Sequence, residues 1–179
     1  MEARSFLSTD RLILSPLTRQ DIPAITAYAS NPVISRYTMN IPFPYTENDA
    51  SYWINMAEQG WQEKTILIFA IRLKESEQFI GGIGLALEPK HSRAELSYWL
   101  AEPYWNRGLL TEAATEMINY GFKEWKLHKI TAHHLQGNEA SGRVMQKCGM
   151  TKEGELRDHV YKNGIFYTIA MYGVLNPET

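Results

Sequence analysis

Apolar and polar positions alternate along the chain with two periods, and each period predicts one kind of element. Runs of β-branched and apolar residues, some alternating with polar ones, predict strands, whereas apolar residues spaced three or four apart predict helices. The predicted strands cover residues 11–17, 65–73, 79–88, 93–100, 127–135, 150–161 and 165–175. The predicted helices cover, approximately, residues 18–30, 46–64, 108–125 and 138–149.

Turn-forming residues separate these segments. Residues 31–45 contain Pro32, Pro42 and Pro44 together with several aromatic side chains, which predicts a loop. The dipeptide Asn163-Gly164 lies between the last two predicted strands and is a strong hairpin signal. The order β-α-α-β-β-β-α-β-α-β-β predicts an α+β (mixed α/β) domain whose sheet is mostly antiparallel, with one parallel crossover. No repeat or linker interrupts this order, so residues 1–179 are expected to form a single domain.

Composition and charge narrow the classes of function. Hydrophobic residues make up 44% and charged residues 21% of the chain, as in ordinary folded domains. The formal net charge of -2 gives no broad attraction to nucleic acid or to an anionic membrane, so neither is expected as a partner. Cys148 is the one cysteine, and no segment has the apolar length of a signal peptide or a membrane span. These features predict a cytoplasmic protein.

Histidine and cysteine spacing does not predict a metal site. His133 and His134 are neighbours on a predicted strand, so their side chains are expected on opposite faces of the sheet. The sequence has no HExxH motif and no zinc-type pairing of cysteine with histidine. We therefore expect no bound metal.

Gly108 stands where a predicted strand and turn lead into a long amphipathic helix. The first turn of a helix exposes unpaired N–H groups and a positive partial charge, and a residue without a Cβ lets an anion approach them. Asn106 and Arg107 add a donor and a positive charge beside Gly108. The alternative is a tight turn with Arg107 as a solvated surface charge, because neither GxxxxGK[ST] nor GxGxxG is present.

The order of several motifs resembles the GNAT superfamily of acetyl-CoA-dependent N-acetyltransferases. More narrowly, the chain is similar to the branch that contains the ribosomal-protein N-terminal alanine and serine acetyltransferases. The motifs, in chain order, are TDRLILSPLTRQDI, RAELSYWL, EPYWNRGLLTEAA, LHKI, NEASGRVMQKCGM, EGELRD and NGIFYTIAMYGVL. The resemblance implies a strongly twisted central sheet with a splayed strand pair, flanked by helices.

The resemblance also implies where acetyl-CoA binds. Its pantetheine arm is expected in the V-shaped opening beside Tyr98, Trp99 and Leu100, and near Asn138. Its diphosphate is expected on the turn and helix start, namely Asn106, Arg107, Gly108, Leu109, Leu110 and Thr111. The chain departs from the family pattern, because Trp105 stands in a Gln/Arg position, Asn106 where the branch often has Gly, and Leu110 where Gly or Ala is usual. Further phosphate contacts are assigned to Arg143 and Lys147, for which a solvated helix face is the alternative.

The same resemblance implies the catalytic groups. Glu95, in AEL, is the candidate base for the acceptor amine, acting directly or through water; the alternative is a solvated carboxylate paired with Arg93. Ser141 is the candidate proton donor or orienting group for the thiolate, and Asn138 is also expected to cap the helix that carries it. The acceptor pocket is expected to be lined by aromatic side chains from the first two helices, the intervening loop and the last hairpin: Tyr37, Phe43, Trp53 and Tyr167.

The resemblance therefore implies transfer of an acetyl group from acetyl-CoA to a primary amine by direct attack in a ternary complex. The acceptor is either a protein N-terminal α-amine or a small-molecule amine, and the protein is expected to be a monomer or a homodimer. Two other functions stay open: a non-catalytic acyl-CoA-binding sensor or interaction module, and a nucleotide-binding α/β domain.

Overall fold

A single eight-stranded sheet forms the centre of the molecule, in the strand order β1-β2-β3-β4-β5-β6-β8-β7. The computed structural model describes residues 6–178. The strands are β1 (Leu7–Ser8), β2 (Leu12–Ser15), β3 (Ile66–Leu73), β4 (Phe79–Glu88), β5 (Arg93–Leu100), β6 (Lys129–Leu135), β7 (Thr151–Lys162) and β8 (Ile165–Leu175). The mixed, mostly antiparallel sheet expected from the sequence is confirmed.

Helices cover both faces of this sheet. They are α1 (Ile22–Ala29), α2 (Pro32–Tyr37), α3 (Glu47–Glu63), α4 (Leu109–Lys123) and α5 (Glu139–Lys147), with short 3-10 turns at Arg19–Asp21, Pro89–His91 and Glu102–Tyr104. Within the described residues, no helix combines the length and hydropathy that a membrane crossing needs.

The prediction of a loop over 31–45 is wrong at its start, where the structure has helix α2. Asn31 caps this helix, because its side-chain oxygen accepts a hydrogen bond of 3.0 Å from the Val33 amide. Pro32 occupies the first helical position, where the missing N–H costs nothing and the fixed φ angle suits a helix. The proline that suggested a loop is thus part of a helix start.

One strand pair is parallel, and its hydrogen bonding stops early. β5 and β6 pair from Arg93↔Lys129 to Glu95↔Thr131 and no further. Beyond that point β5 stays paired with β4 as far as Leu100, and β6 stays paired with β8 as far as Leu135. The two strands therefore separate after Glu95, as the resemblance implied, and we call this opening the fork.

Alternating side chains on β5 separate the core into two parts. Ala94, Leu96 and Leu100 point into a cluster with α4, which packs against β2, β4, β5 and β6. Trp99 points the other way, into a second cluster with α1 and α3. Each side of the fork thus faces a different set of helices.

A buried ion pair connects the 3-10 turn before α1 to β3. The Arg72 guanidinium donates two hydrogen bonds of 2.8 Å to Asp21, and the amide and hydroxyl of Thr18 donate to the same carboxylate. The exposed fractions of the two side chains are 16% for Arg72 and 6% for Asp21. Removing one partner of such a pair leaves a charge with little solvent around it.

We expect Asp21→Ala to lower the free energy of unfolding by about 3–5 kcal/mol, because Arg72 would keep its burial and lose its counter-charge. Urea unfolding followed by circular dichroism measures this change. The exposed Asp10 provides the control, since Asp10→Ala should change stability by less than about 0.5 kcal/mol. Equal stability of the two variants would contradict the assignment.

Candidate functional site

The turn before α4 presents a row of free backbone N–H groups. Gly108 caps the helix with φ 76° and ψ 0°, and Asn106 is also left-handed with φ 59°. The first backbone hydrogen bond of α4 runs from the Glu112 amide to the Gly108 carbonyl, at 3.1 Å. Within residues 6–178, no protein acceptor pairs with the amides of residues 106–111. A helix start of this kind binds anions.

Two side chains from outside the turn hold it in place. The Trp105 indole N–H donates to the Leu100 carbonyl at 2.6 Å and thereby connects the turn to the end of β5. The Arg11 guanidinium donates to the Arg107 carbonyl at 2.9 Å and to the Glu112 carboxylate at 2.7 Å. The role of Arg11 was not predicted from the sequence, because its partners lie about a hundred positions away and no local pattern connects them.

Glu112 is the carboxylate to which Thr9 and Arg11 are hydrogen-bonded. Its carboxylate accepts hydrogen bonds from the Thr9 hydroxyl at 2.5 Å and from the Arg11 amide at 2.9 Å, besides the one from the guanidinium. Partial burial on its own raises the pKa of Glu112, but the hydrogen bonds from Thr9 and Arg11 outweigh it, so the pKa lies below its usual value. The carboxylate therefore stabilises the folded state when it is ionised.

A pair of hydroxyl groups spans the fork on the side of α4 and α5. The Tyr98 and Ser141 hydroxyl oxygens lie 3.0 Å apart, and the Tyr98 hydroxyl also lies 3.2 Å from the Ser141 carbonyl oxygen. Burial raises the pKa of Tyr98 well above its ordinary value. Both residues were expected at the site from the sequence, but the contact between Tyr98 and Ser141 was not.

Asn138 caps helix α5, as the sequence analysis expected. Its side-chain oxygen accepts from the Ser141 amide at 3.3 Å, and its amide nitrogen donates to the Tyr37 carbonyl at 3.5 Å. Asn138 therefore joins the start of α5 to the end of α2. Arg143 and Lys147 lie one turn apart on the exposed face of the same helix.

Glu95 lies on the opposite side of the sheet from Tyr98, and its nearest ionisable partner is His133. The His133 Nδ1 atom is 3.4 Å from the Glu95 Oε1 atom, with side-chain exposures of 14% and 41%. Arg93, the partner considered from the sequence, donates instead to Glu88 at 2.8 Å. His134 points to the other face, is buried, and has its Nδ1 atom 2.9 Å from the Leu135 carbonyl oxygen.

The aromatic residues expected around the acceptor lie in four separate regions, namely α2, the loop that follows it, α3 and β8. Trp53 packs against Trp99 with ring centroids 6.1 Å apart. Tyr37 ends α2, Tyr167 lies in β8 and Phe43 is 57% exposed. In the described part of the chain, no ring contact joins Tyr37, Phe43 or Tyr167 to Trp53.

Lys162 connects two of these regions. Its ammonium group donates to the carbonyl oxygens of Ser35 and Thr38, at the end of α2, from the tip of the β7–β8 hairpin. Burial lowers the pKa of Lys162. The contact attaches α2 to the hairpin. No local pattern in the sequence predicted it.

Metal-binding groups and the cysteine thiol are the other candidate sites of chemistry. Among residues 6–178, no group of three or more His, Cys, Asp or Glu side chains has a metal-binding arrangement. Cys148 is half-buried, and burial raises the pKa of its thiol, so the thiolate form is disfavoured.

Comparison with known proteins relates the chain to one family. Residues 11–151 match the family described as the acetyltransferase (GNAT) domain. The chain is 36% identical over 173 residues to YoaA, an uncharacterized N-acetyltransferase of Bacillus subtilis, covering 96% of this chain and 97% of YoaA. It is 27% identical over 154 residues to spermidine N(1)-acetyltransferase of Escherichia coli, covering 84% of this chain and 78% of that protein.

Among solved structures, the fold is similar to that of RimL, the ribosomal L7/L12 α-N-protein acetyltransferase, in complex with coenzyme A. The TM-score is 0.88 at 16% sequence identity, and the match covers 96% of this chain and 98% of that one. At this level of identity, the likeness shows that the two chains share a fold.

The hydrogen bonds to Glu112 lead to a pH-dependent prediction. Because the folded-state pKa is lowered, the stabilisation from Glu112 is fully present above the unfolded carboxyl pKa of about 4.3 and is lost as the pH falls through the lower folded value. Glu112→Gln should therefore be less stable than the wild type at pH 7, and the difference should shrink below about pH 4.

Urea unfolding of both proteins between pH 7 and pH 3 measures this difference. Glu75→Gln is the matched control at an exposed position and should follow the wild type throughout. A difference that stays constant with pH would contradict the assigned role of the carboxylate.

Proposed function

The chain belongs to the acetyltransferase (GNAT) family, and on that basis we propose that it acetylates a primary amine by direct attack on acetyl-CoA in a ternary complex. The single observation that carries the proposal is the combination of free amides at residues 106–111 with the fork beside them. An anion and an extended chain can bind there side by side.

The diphosphate of acetyl-CoA is assigned to the start of α4. Left-handed Asn106 and Gly108 turn the backbone so that its amides stay free of protein partners. A Cβ built on Gly108 would have one neighbour within 4 Å, the Arg11 guanidinium at 3.5 Å, so the approach to the backbone is open there. Arg107 places positive charge next to the turn, and Arg11, whose charge is paired with Glu112, lies beside it. These features fit two phosphate groups. Leu110 still contributes its backbone amide, although its side chain is larger than the Gly or Ala that is usual there.

The pantetheine arm is assigned to the fork. After Glu95, β5 has no strand partner on the side of β6. Apart from the Leu100 carbonyl, which accepts from the Trp105 indole, the backbone polar groups on that side are therefore available to an extended amide-containing chain. Tyr98, Trp99 and Leu100 lie on this open edge, and Asn138 lies at the start of α5. The arm would pair with β5 as an added strand does.

The two proton transfers of the reaction are assigned to side chains on opposite faces of the sheet. Glu95 supplies the negative charge that draws a proton from the acceptor ammonium, which makes the nitrogen nucleophilic. As the C–N bond forms and the C–S bond breaks, Ser141 orients or protonates the leaving thiolate. Tyr98 stabilises Ser141 through the 3.0 Å contact between their hydroxyl oxygens. One proton is released to solvent for each amide formed.

The acceptor would approach from the face that carries Glu95. Tyr37, Phe43, Trp53 and Tyr167 are assigned to the walls of that approach. The fold shared with RimL supports a protein α-amine as the acceptor, and the relationship to the spermidine enzyme supports a small amine. The reaction is assigned to the cytoplasm, and no oligomeric state follows from the site.

Gly108→Glu tests the position of the diphosphate. A side chain at φ 76° costs roughly 1–2 kcal/mol, and the new carboxylate would repel the phosphates. We expect coenzyme A affinity to fall about tenfold or more, measured by calorimetry and thermal shift. Gly154→Glu adds the same charge at an exposed position where an added Cβ meets nothing within 4 Å, and it should bind coenzyme A normally. Unchanged binding by Gly108→Glu would disprove the placement.

Glu95→Gln tests catalysis separately from binding. Removing the negative charge should lower turnover by about 10²–10⁴-fold while leaving the thermal shift with acetyl-CoA unchanged. Thiol release, corrected for hydrolysis, is measured with N-terminal peptides, polyamines, amino acids and aminoglycosides. The exposed Glu124 supplies the control variant Glu124→Gln. A wild-type protein that binds acetyl-CoA tightly and acetylates none of these amines would instead be a sensor.

A further inference from the structure

His133 lies beside Glu95 at the point where β5 and β6 separate. Glu95 is the last β5 residue in register with β6, opposite Thr131, and His133 follows Thr131 by two positions on the same face. We infer that His133 is a catalytic residue whose Nε2 atom takes the proton from the acceptor ammonium, with Glu95 holding the imidazole through Nδ1. This inference rests on the proposed acetyl transfer.

The orientation of the imidazole ring supports this assignment. Its Nδ1 atom faces Glu95 Oε1 at 3.4 Å, and no acceptor or donor among residues 6–178 pairs with Nε2. A carboxylate beside one imidazole nitrogen fixes the proton there and leaves the lone pair on the other nitrogen. Catalytic hydrogen bonds are often long before substrate binds and shorten in the complex.

Within the described residues, no other side chain forms a hydrogen bond with Glu95 or His133, although the charge of Glu95 also acts on Arg93. The charged group nearest to Glu95 on its own strand is Arg93, and its guanidinium is hydrogen-bonded to Glu88. In register with His133 on β8 stands Met171, which carries no charge.

The face that carries the pair is open to an acceptor. Thr131, His133 and Met171 are only partly buried, and Ser97, two residues beyond Glu95 on β5, is exposed. On the opposite face, α4 and α5 pack over β5 and β6. An amine can therefore reach the pair from one side of the fork while the hydroxyl pair of Tyr98 and Ser141 stays on the other.

The proton balance is complete without another reagent. Nε2 takes one proton from R–NH3⁺, and the nitrogen lone pair then forms the bond to the acetyl carbon. The second proton leaves the nitrogen as the C–S bond breaks, and the thiolate ends as a thiol. Glu95 stabilises the imidazolium until its proton passes to solvent. The sum is R–NH3⁺ plus acetyl-CoA giving amide, coenzyme A thiol and one proton.

Two measurements test the role of His133. His133→Gln should lower kcat by about 10²-fold or more with the KM for acetyl-CoA unchanged, on whichever amine the wild type acetylates. His91→Gln, at an exposed position, is the control and should keep wild-type rates. In ¹⁵N spectra of the imidazole rings, which need no acceptor, neutral His133 should carry its proton on Nδ1 in the wild type and shift toward Nε2 in Glu95→Ala.

The outcomes separate the two proposals. A His133→Gln variant within tenfold of the wild-type kcat, or a wild-type ring protonated on Nε2, would overturn the role of His133 and leave acetyl transfer intact. A folded wild type inactive on every amine would overturn the acetyl transfer and the role of His133 with it. A large loss of kcat together with the Nδ1 proton supports both.

Discussion

The end of hydrogen bonding between β5 and β6 after Glu95 is the constraint on which the rest of the site depends. Up to that residue, the two strands belong to one continuous sheet; beyond it, each remains paired on its outer side only. Unpaired strand edges are unfavourable unless something satisfies them. In this molecule the open edge lies next to a helix start whose amides are also free, so one extended, anionic ligand can satisfy both.

The alternation of side chains along β5 places the candidate catalytic groups on two faces of the sheet. Because successive side chains on a strand point to opposite faces, Glu95 and Tyr98 lie on different sides of the fork. Glu95 meets His133 on the open face, and Tyr98 meets Ser141 beneath α5. The base proposed for the acceptor and the groups proposed for the leaving sulfur are thereby kept apart, which suits a reaction whose two reactants would enter from different directions.

Contacts between distant parts of the chain hold this arrangement in place. Arg11 fixes the turn before α4, Asn138 joins α5 to α2, and Lys162 joins the last hairpin to α2. These side chains bond mainly to backbone carbonyl groups. Such bonds position a main-chain segment whatever its side chains are, so the joined segments can vary in sequence while their backbone positions are kept.

The sequence by itself determined most of the elements, their faces and the turns, although it predicted a loop where helix α2 lies. Hydrophobic periodicity located the main helices and strands, and Gly108, Asn138 and the Asn163-Gly164 turn were assigned from local backbone chemistry. Motif order supplied the family and the expected fork. These features are local or ordered along the chain, so they can be read without coordinates. Only the tertiary structure decided that Arg93 pairs with Glu88, that His133 joins Glu95 and that Arg11 holds the turn. For each of these residues the sequence offers several possible partners, and only the fold brings one of them within bonding distance.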